Sequence, residues 1–130
     1  MTKPIINAAI VEDRRVWLVR KGDCWIFPGG KLEKGETDVE CLEREIMREE
    51  MPGVTRLWIS TIYGIFRSIS PRWHSETQSR VYLADAEGDL SVVSSEISES
   101  KKFPYEETYL LKTSQLTSKI LKKLSFDKYI

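Results

Sequence analysis

The stretch from Pro28 to Gly53 constrains this chain more than any other part of it. Pro28-Gly29-Gly30 and then Gly35 interrupt regular structure. Thr37 followed three places later by Glu40 is a capping-box pattern, and Val39, Leu42 and Ile46 then recur at helical spacing until Pro52-Gly53 stops the run. The expectation is a loop over 28–36 feeding an acidic helix over about 38–50. Both flanks favour strands. Residues 5–11 and 16–19 are rich in β-branched side chains and are separated by Glu12-Asp13-Arg14-Arg15, as in a hairpin. Residues 54–69 carry Trp58, Ile59, Ile62, Tyr63, Ile65 and Phe66, fitting one long bent strand or two short ones, with Gly64 at a bulge or close backbone approach. Residues 80–84 alternate around Val81 and Leu83, and the serine-rich stretch 91–100 reads as a turn and a strand edge. Leu116, Ile120, Leu121 and Leu124 mark an amphipathic C-terminal helix with Lys119, Lys122 and Lys123 on its solvated face.

Strands, one acidic helix, more strands and a closing helix predict an α/β (α+β) sandwich, a mixed β-sheet packed between helices. At 130 residues the chain is sized for one domain spanning 1–130. Twenty Lys plus Arg balance twenty Asp plus Glu, so no global field favours nucleic acid or an anionic membrane, and any polyanion must be met locally. The longest apolar runs are four residues, such as 8–11, far below the roughly 18 needed for a bilayer span. Met1-Thr2-Lys3-Pro4 leads into a strand without the pattern of a secretory signal, so a cytoplasmic location is expected. Cys24 and Cys41 fit neither a redox pair nor a zinc site and are expected to be two buried, reduced thiols.

The chemistry is concentrated in Gly29-Gly30-Lys31-Leu32-Glu33-Lys34-Gly35-Glu36-Thr37 and in Glu43-Arg44-Glu45-Ile46-Met47-Arg48-Glu49-Glu50. This segment resembles the Nudix box, the signature of Nudix hydrolases: Gly, five of anything, Glu, seven of anything, Arg-Glu, an aliphatic residue, anything, Glu-Glu, anything, Gly, an aliphatic residue. Gly30, Glu36, Arg44, Glu45, Ile46 and Glu49 stand in register, while Arg48, Met51 and Pro52 depart from it. Trp25 and Pro28-Gly29 also resemble the family. The resemblance implies a Nudix-like α/β/α sandwich whose loop-helix unit carries catalytic metal, with Glu36 and Arg44 pairing to fix the loop on the helix.

On a regular helix Glu45 and Glu49 lie about 40° apart, beside the buried stripe of Leu42 and Ile46. Two such carboxylates repel, and a bound Mg²⁺, or Mn²⁺ in its place, would reverse that sign. Glu45 and Glu49 are therefore the expected metal ligands, with Glu36 and Arg44 completing the catalytic set. Gly29 and Gly30 are expected to bring backbone close to the helix and to substrate. Arg48 falls within about 60° of Glu45, where it would either weaken the metal site or reach a substrate phosphate in a bidentate contact, and the phosphate contact is favoured. A rival alignment slides the glutamate pair to Glu49-Glu50 and recovers Gly53-Val54. It puts Glu50 about 140° from Glu45, able to join the same metal only if a π-bulge rewinds the helix.

Outside the box, Trp73 is a candidate to stack on a base and His74 an incidental loop residue. Glu96 and Glu99 are candidates for a further metal ligand or general base. Tyr63, Phe66 and Tyr82 are expected in the core or on the sheet surface. The resemblance implies a metal-dependent hydrolase acting on a small-molecule nucleotide, cleaving the pyrophosphate bond of a nucleoside diphosphate linked to another moiety. The chain's size suits a nucleoside triphosphate converted to monophosphate and pyrophosphate. The alternative is a catalytically weak or inactive Nudix-fold module that binds a nucleotide or partner. A monomer or homodimer is expected, with no membrane or nucleic-acid partner.

Overall fold

A computed structural model describes residues 4–69 and 75–130. The strands are β1 Ile5–Glu12, β2 Arg15–Lys21, β3 Cys24–Ile26, β4 Gly29–Lys31, β5 Val54–Ile69, β6 Glu76–Gly88 and β7 Glu99–Phe103. The α-helices are α1 Asp38–Leu42, α2 Tyr105–Thr108 and α3 Gln115–Phe126, and α1 runs directly into a π-helical segment, Glu43–Glu50. The strands form one seven-stranded mixed sheet ordered β3-β2-β1-β6-β5, with β4 added to β1 and β7 added to β2. Of the pairings between these strands, only β1–β6 is parallel, and Trp25 of β3 makes an isolated parallel bridge to Thr113.

The period-two alternation of strands sends successive side chains to opposite faces, and this divides the core in two. Ile6, Ala8 and Ile10 of β1 pack with Cys41, Leu42, Ile46 and Met51 on one face. Ala9 of β1, with Val16 and Leu18 of β2, packs with Ile120, Leu121 and Leu124 of α3 on the other. The mixed sheet between helices is the architecture expected from the order of elements.

Local readings hold with corrections at particular elements, and of the two cysteines Cys41 is buried whereas Cys24 is only partly so. The expected hairpin is β1–β2, turned by Asp13 and Arg14, both at positive φ. Residues 28–36 are not loop throughout, because Gly29–Lys31 pair with Ile5–Asn7 as β4. The helix over 38–50 is present and carries the Thr37–Glu40 capping box, but it is α only as far as Leu42. Its buried stripe uses Cys41 with Leu42 and Ile46, whereas Val39 is 43% exposed. Between 91 and 100 the only strand begins at Glu99, and the short helix α2 was not foreseen. The long bent strand is a single β5 whose register with β6 shifts between Ile59 and Gly64.

Candidate active site

Three pieces of backbone meet where the helix 38–50 crosses the ends of β1 and β4. Gly29 holds φ at +134°, and a Cβ there would lie 2.0 Å from the Ile6 carbonyl oxygen, so only glycine lets β4 close against β1. A Cβ on Gly30 would lie 2.4 Å from Cδ of Glu45. The missing side chain is the space that the Glu45 carboxylate occupies.

Arg44 organises the charges around that contact. Its Nε donates to Glu36 Oε2 at 2.6 Å and its Nη2 to Glu36 Oε1 at 3.0 Å. Its Nη1 reaches Glu45 Oε1 at 2.7 Å, and Nη2 also donates to the Lys31 carbonyl at 3.2 Å. One guanidinium therefore ties the turn, β4 and a cavity carboxylate together, using the planar fork that lysine lacks. The hydrogen bonds from Arg44 hold the Glu36 carboxyl down at about 2, reinforced by the Glu33 backbone N–H. Asp38 anchors the start of α1 to β6, accepting from Arg80 Nη2 at 2.7 Å and from the Tyr82 hydroxyl at 2.5 Å.

Glu50 is the buried member of the site, at 2% exposure. Its Oε1 accepts from the Gly29 N–H at 2.8 Å. Burial pushes its carboxyl up to about 8, the Gly29 N–H pulls the other way, and the charge of Glu45 adds to the rise. The charge of Lys21 lowers it and that of Glu96 raises it.

Glu45, Glu50, Gly29 and Gly30 line one cavity of about 470 Å³. Lys21 and Lys31, both exposed and neither ion-paired among the described residues, are at its rim. The rest of its lining comes from Ile5, Asn7, Ile26 and Phe27 with Ser114, Leu116, Thr117 and Ile120. Asn7 is fixed there, donating from Nδ2 to the Phe27 carbonyl at 3.1 Å and accepting from the Ser79 hydroxyl at 2.6 Å. The cavity thus combines two carboxylates, two exposed lysines and a mainly apolar remainder with a few hydroxyl and amide groups.

Of the residues singled out in the sequence, Gly29, Gly30, Glu36, Arg44 and Glu45 come together here. Arg48 and Glu49 do not reach the cavity lining. Both are exposed, and Arg48 instead lines a shallow depression with Glu36, Glu40, Glu43 and Arg44. The expectation of Glu49 beside Glu45 assumed α-helical spacing. The π segment bonds Met51 N–H to the Ile46 carbonyl at 2.8 Å, five residues back, and turns Glu50 inward instead. Glu99 pairs with Arg20 and Lys101, whereas Glu96 is exposed. Trp73 and His74 lie outside the described residues. Sequence reasoning passed over Asn7, Lys21 and Lys31. Asn7 had a signal, being the one polar side chain within the run 5–11, but the lysines look like any surface cation until the fold places them.

A NUDIX domain family model matches residues 1–124. No curated protein matches the sequence. Among solved structures, the chain is similar to a NUDIX hydrolase from Nitrosomonas europaea, with TM-score 0.81 and 16% identity over 98% of this chain and 91% of that one. It is also similar to a MutT NUDIX hydrolase from Burkholderia pseudomallei, with TM-score 0.78 and 24% identity over 94% and 97%. A third similar structure is an ADP-ribose pyrophosphatase from Streptococcus suis, with TM-score 0.71 and 20% identity over 96% and 88%.

Proposed function

Because the chain belongs to the NUDIX domain family and is a hydrolase of that family, we propose that it cleaves the pyrophosphate bond of a small nucleotide, a nucleoside triphosphate first, with Mg²⁺ or Mn²⁺ as cofactor. The observation that carries this reading is the convergence of Glu45 and Glu50 on one cavity whose rim holds Lys21 and Lys31. The donor set fits a hard divalent cation. The Glu45 carboxylate occupies the space a Gly30 side chain would fill, Glu50 lines the same cavity, and a buried carboxyl whose ionisation is opposed by burial and by its neighbour gains from a nearby cation. Among the described residues no group of three or more His, Cys, Asp or Glu is gathered for metal. Two protein carboxylates suit Mg²⁺, which keeps several waters and takes substrate phosphate oxygens as its other ligands.

When bound at Glu45 and Glu50, the cation supplies neutralisation of the phosphate oxygens and a more acidic water. The rest is the work of the chain. Arg44 and the Gly29 N–H hold the two carboxylates in place before substrate arrives, so little reorganisation is needed during reaction. Lys21 and Lys31 attract and orient the phosphates. Of the acidic residues considered for the water's proton, Glu99 is ion-paired, and Glu49 and Glu96 are both exposed and outside the cavity lining, so the role is given to none of them. Asn7, Phe27, Ser114, Leu116 and Thr117 add apolar lining with directional polar groups, suited to a nucleoside.

The ADP-ribose pyrophosphatase likeness makes nucleoside diphosphate sugars the next class to try after triphosphates. The departure at Arg48 was the main support for a binding module without turnover, and the pairing of Glu45 with Glu50 takes that support away. The test is a panel of nucleoside triphosphates, sugar nucleotides, ADP-ribose and dinucleoside polyphosphates incubated with Mg²⁺ or Mn²⁺ and read for phosphate and pyrophosphate. Turnover that a chelator abolishes and either metal restores is the expected result. Nucleotide binding without release of phosphate or pyrophosphate from any of them would refute the reading.

A further inference from the structure

We infer that Arg48 is one residue inserted into the site helix, and that the π-helical turns over Glu43–Glu50 absorb it so that Glu50, not Glu49, stands beside Glu45. This rests on the metal-dependent reading above. An α-helix would put Glu49 about 40° and Glu50 about 140° from Glu45. The structure has the reverse: Glu50 is buried and lines the cavity with Glu45, and Glu49 is exposed.

Both ends of the segment are fixed by other elements, so the extra residue has to be taken up between them. Upstream, the Thr37 capping box, the Asp38–Arg80 pair and buried Leu42 and Ile46 set the phase of the helix. Downstream, Met51 is fully buried, the Glu50 carbonyl accepts from Ser94 N–H at 3.1 Å, and the Glu50 carboxylate accepts from Gly29. Four residues separate Ile46 from Met51, where an α-turn has three, and the bond from Met51 N–H to the Ile46 carbonyl closes over all four. Met47 packs against the core and Glu50 is buried, so the surplus residue is one of the two exposed positions, 48 or 49.

The sequence decides between them. Without Arg48 the run reads Arg44-Glu45-Ile46-Met47-Glu49-Glu50, arginine, glutamate, aliphatic, any residue and two glutamates, and the departure from the box at that point disappears. Glu45 and Glu50 would then be four apart on an α-helix, on the same face that the π-turn now gives them at five. The chain keeps its carboxylate pair by changing the helix rather than the ligands.

The test uses Mn²⁺ alone, titrated by the electron paramagnetic resonance of the free ion without nucleotide, on the full chain and on Glu49→Gln, Glu50→Gln and a deletion of Arg48. Melting temperature with chelator is read alongside. Glu50→Gln should weaken Mn²⁺ binding by about tenfold or more, and Glu49→Gln should leave it within about twofold. The deletion should fold, melt no lower than the parent, and bind Mn²⁺ within about threefold of it. A loss on Glu49→Gln that equals or exceeds that on Glu50→Gln overturns the inference while leaving the metal reading standing. A deletion that does not fold, or that folds and loses Mn²⁺, also overturns it. No loss from either substitution removes the metal reading itself, and the inference with it.

Discussion

Arg44 grips Glu36 with two hydrogen bonds, Nε to Oε2 at 2.6 Å and Nη2 to Oε1 at 3.0 Å, and with its remaining nitrogen holds Glu45 at 2.7 Å. The residue that fixes the turn before the helix is thus the residue that aims a cavity carboxylate. A surface ion pair is worth little, but a fork that spans three elements loses its geometry when any tine is removed.

Arg44→Lys should keep the charge and lose that geometry. A single ammonium cannot serve Glu36 and Glu45 together, so kcat is expected to fall by about tenfold or more while the fold persists. Glu36 also gives this variant a pH signature. Its folded carboxyl is held at about 2, below its ordinary value near 4.5. The stability it contributes is present above 4.5 and is lost as pH falls toward 2. Arg44→Lys should therefore unfold at higher pH than the parent during acid titration, and identical acid midpoints would show that the pair does not couple turn to helix.

Gly30→Ala separates stability from activity. The new methyl collides with the carboxylate end of Glu45, a flexible group that can swing aside. Melting temperature should drop little, whereas kcat should fall by roughly 100-fold as the carboxylate leaves its place. Gly29→Ala makes the contrast, because it forces a left-handed φ on alanine and drives Cβ into the Ile6 carbonyl, and it should unfold the chain or lower its melting temperature severely. Thermal melts of the two variants beside their rates test both statements at once.

These glycines also mark the boundary of what the sequence made legible. The capping box, the apolar stripe of the helix, the two strand-rich flanks and the closing helix are local patterns, and each appears in the structure where periodicity placed it, or within a few residues of it. The pairing of Arg44 with Glu36 followed from the resemblance alone. The phase of the helix after Leu42 was not legible, because periodicity assumes one rise and one turn angle throughout, and the anchors that impose a wider turn, Gly29 on Glu50 and Ser94 on the Glu50 carbonyl, come from distant parts of the chain. The rival alignment carried the correct geometric condition, a rewound helix, without the means to satisfy it. Lys21 was silent, since its role depends on β2 ending at the cavity, and Asn7, the lone polar side chain of an apolar run, acquired a role only once β1 was placed there.

Glu50 should give the metal-free protein an unusual pH profile. Its folded carboxyl is pushed up to about 8 by burial, against an ordinary value near 4.5. Below 4.5 both folded and unfolded states hold the proton, between 4.5 and 8 the unfolded state releases it first, and above 8 both are ionised. Its contribution is therefore full below 4.5, falls as pH rises toward 8, and stays lost beyond. In chelator, Glu50→Gln should remove that decline and raise the melting temperature at pH 8 by roughly 5 °C or more relative to its effect at pH 5. Adding Mn²⁺ should raise the melting temperature of the parent most at high pH, where the carboxylate is ionised, and leave Glu50→Gln nearly unmoved. Parallel melting curves for parent and variant across pH 5–8 would show that the carboxyl is not held protonated by its surroundings.

Lys21 tests where substrate charge is received. It stands at the rim of the cavity, exposed and without an ion-pair partner among the described residues, close enough for its charge to lower the Glu50 carboxyl against the effect of burial. Arg48, the cation first expected to meet phosphate, lines a separate depression with Glu36, Glu40, Glu43 and Arg44. An ammonium that meets a phosphate equally in ground and transition states changes KM and leaves kcat alone. Lys21→Ala should raise KM by about tenfold with kcat within about twofold, Lys21→Arg should recover most of the loss, and Arg48→Ala should move neither constant by more than about twofold. The Lys21 effect should also shrink as salt is raised, because an exposed charge is screened over a Debye length of about 8–10 Å at physiological ionic strength. A KM that rises for Arg48→Ala and stays constant for Lys21→Ala would move the phosphate site to the outer face of the helix and separate it from the Glu45–Glu50 cavity.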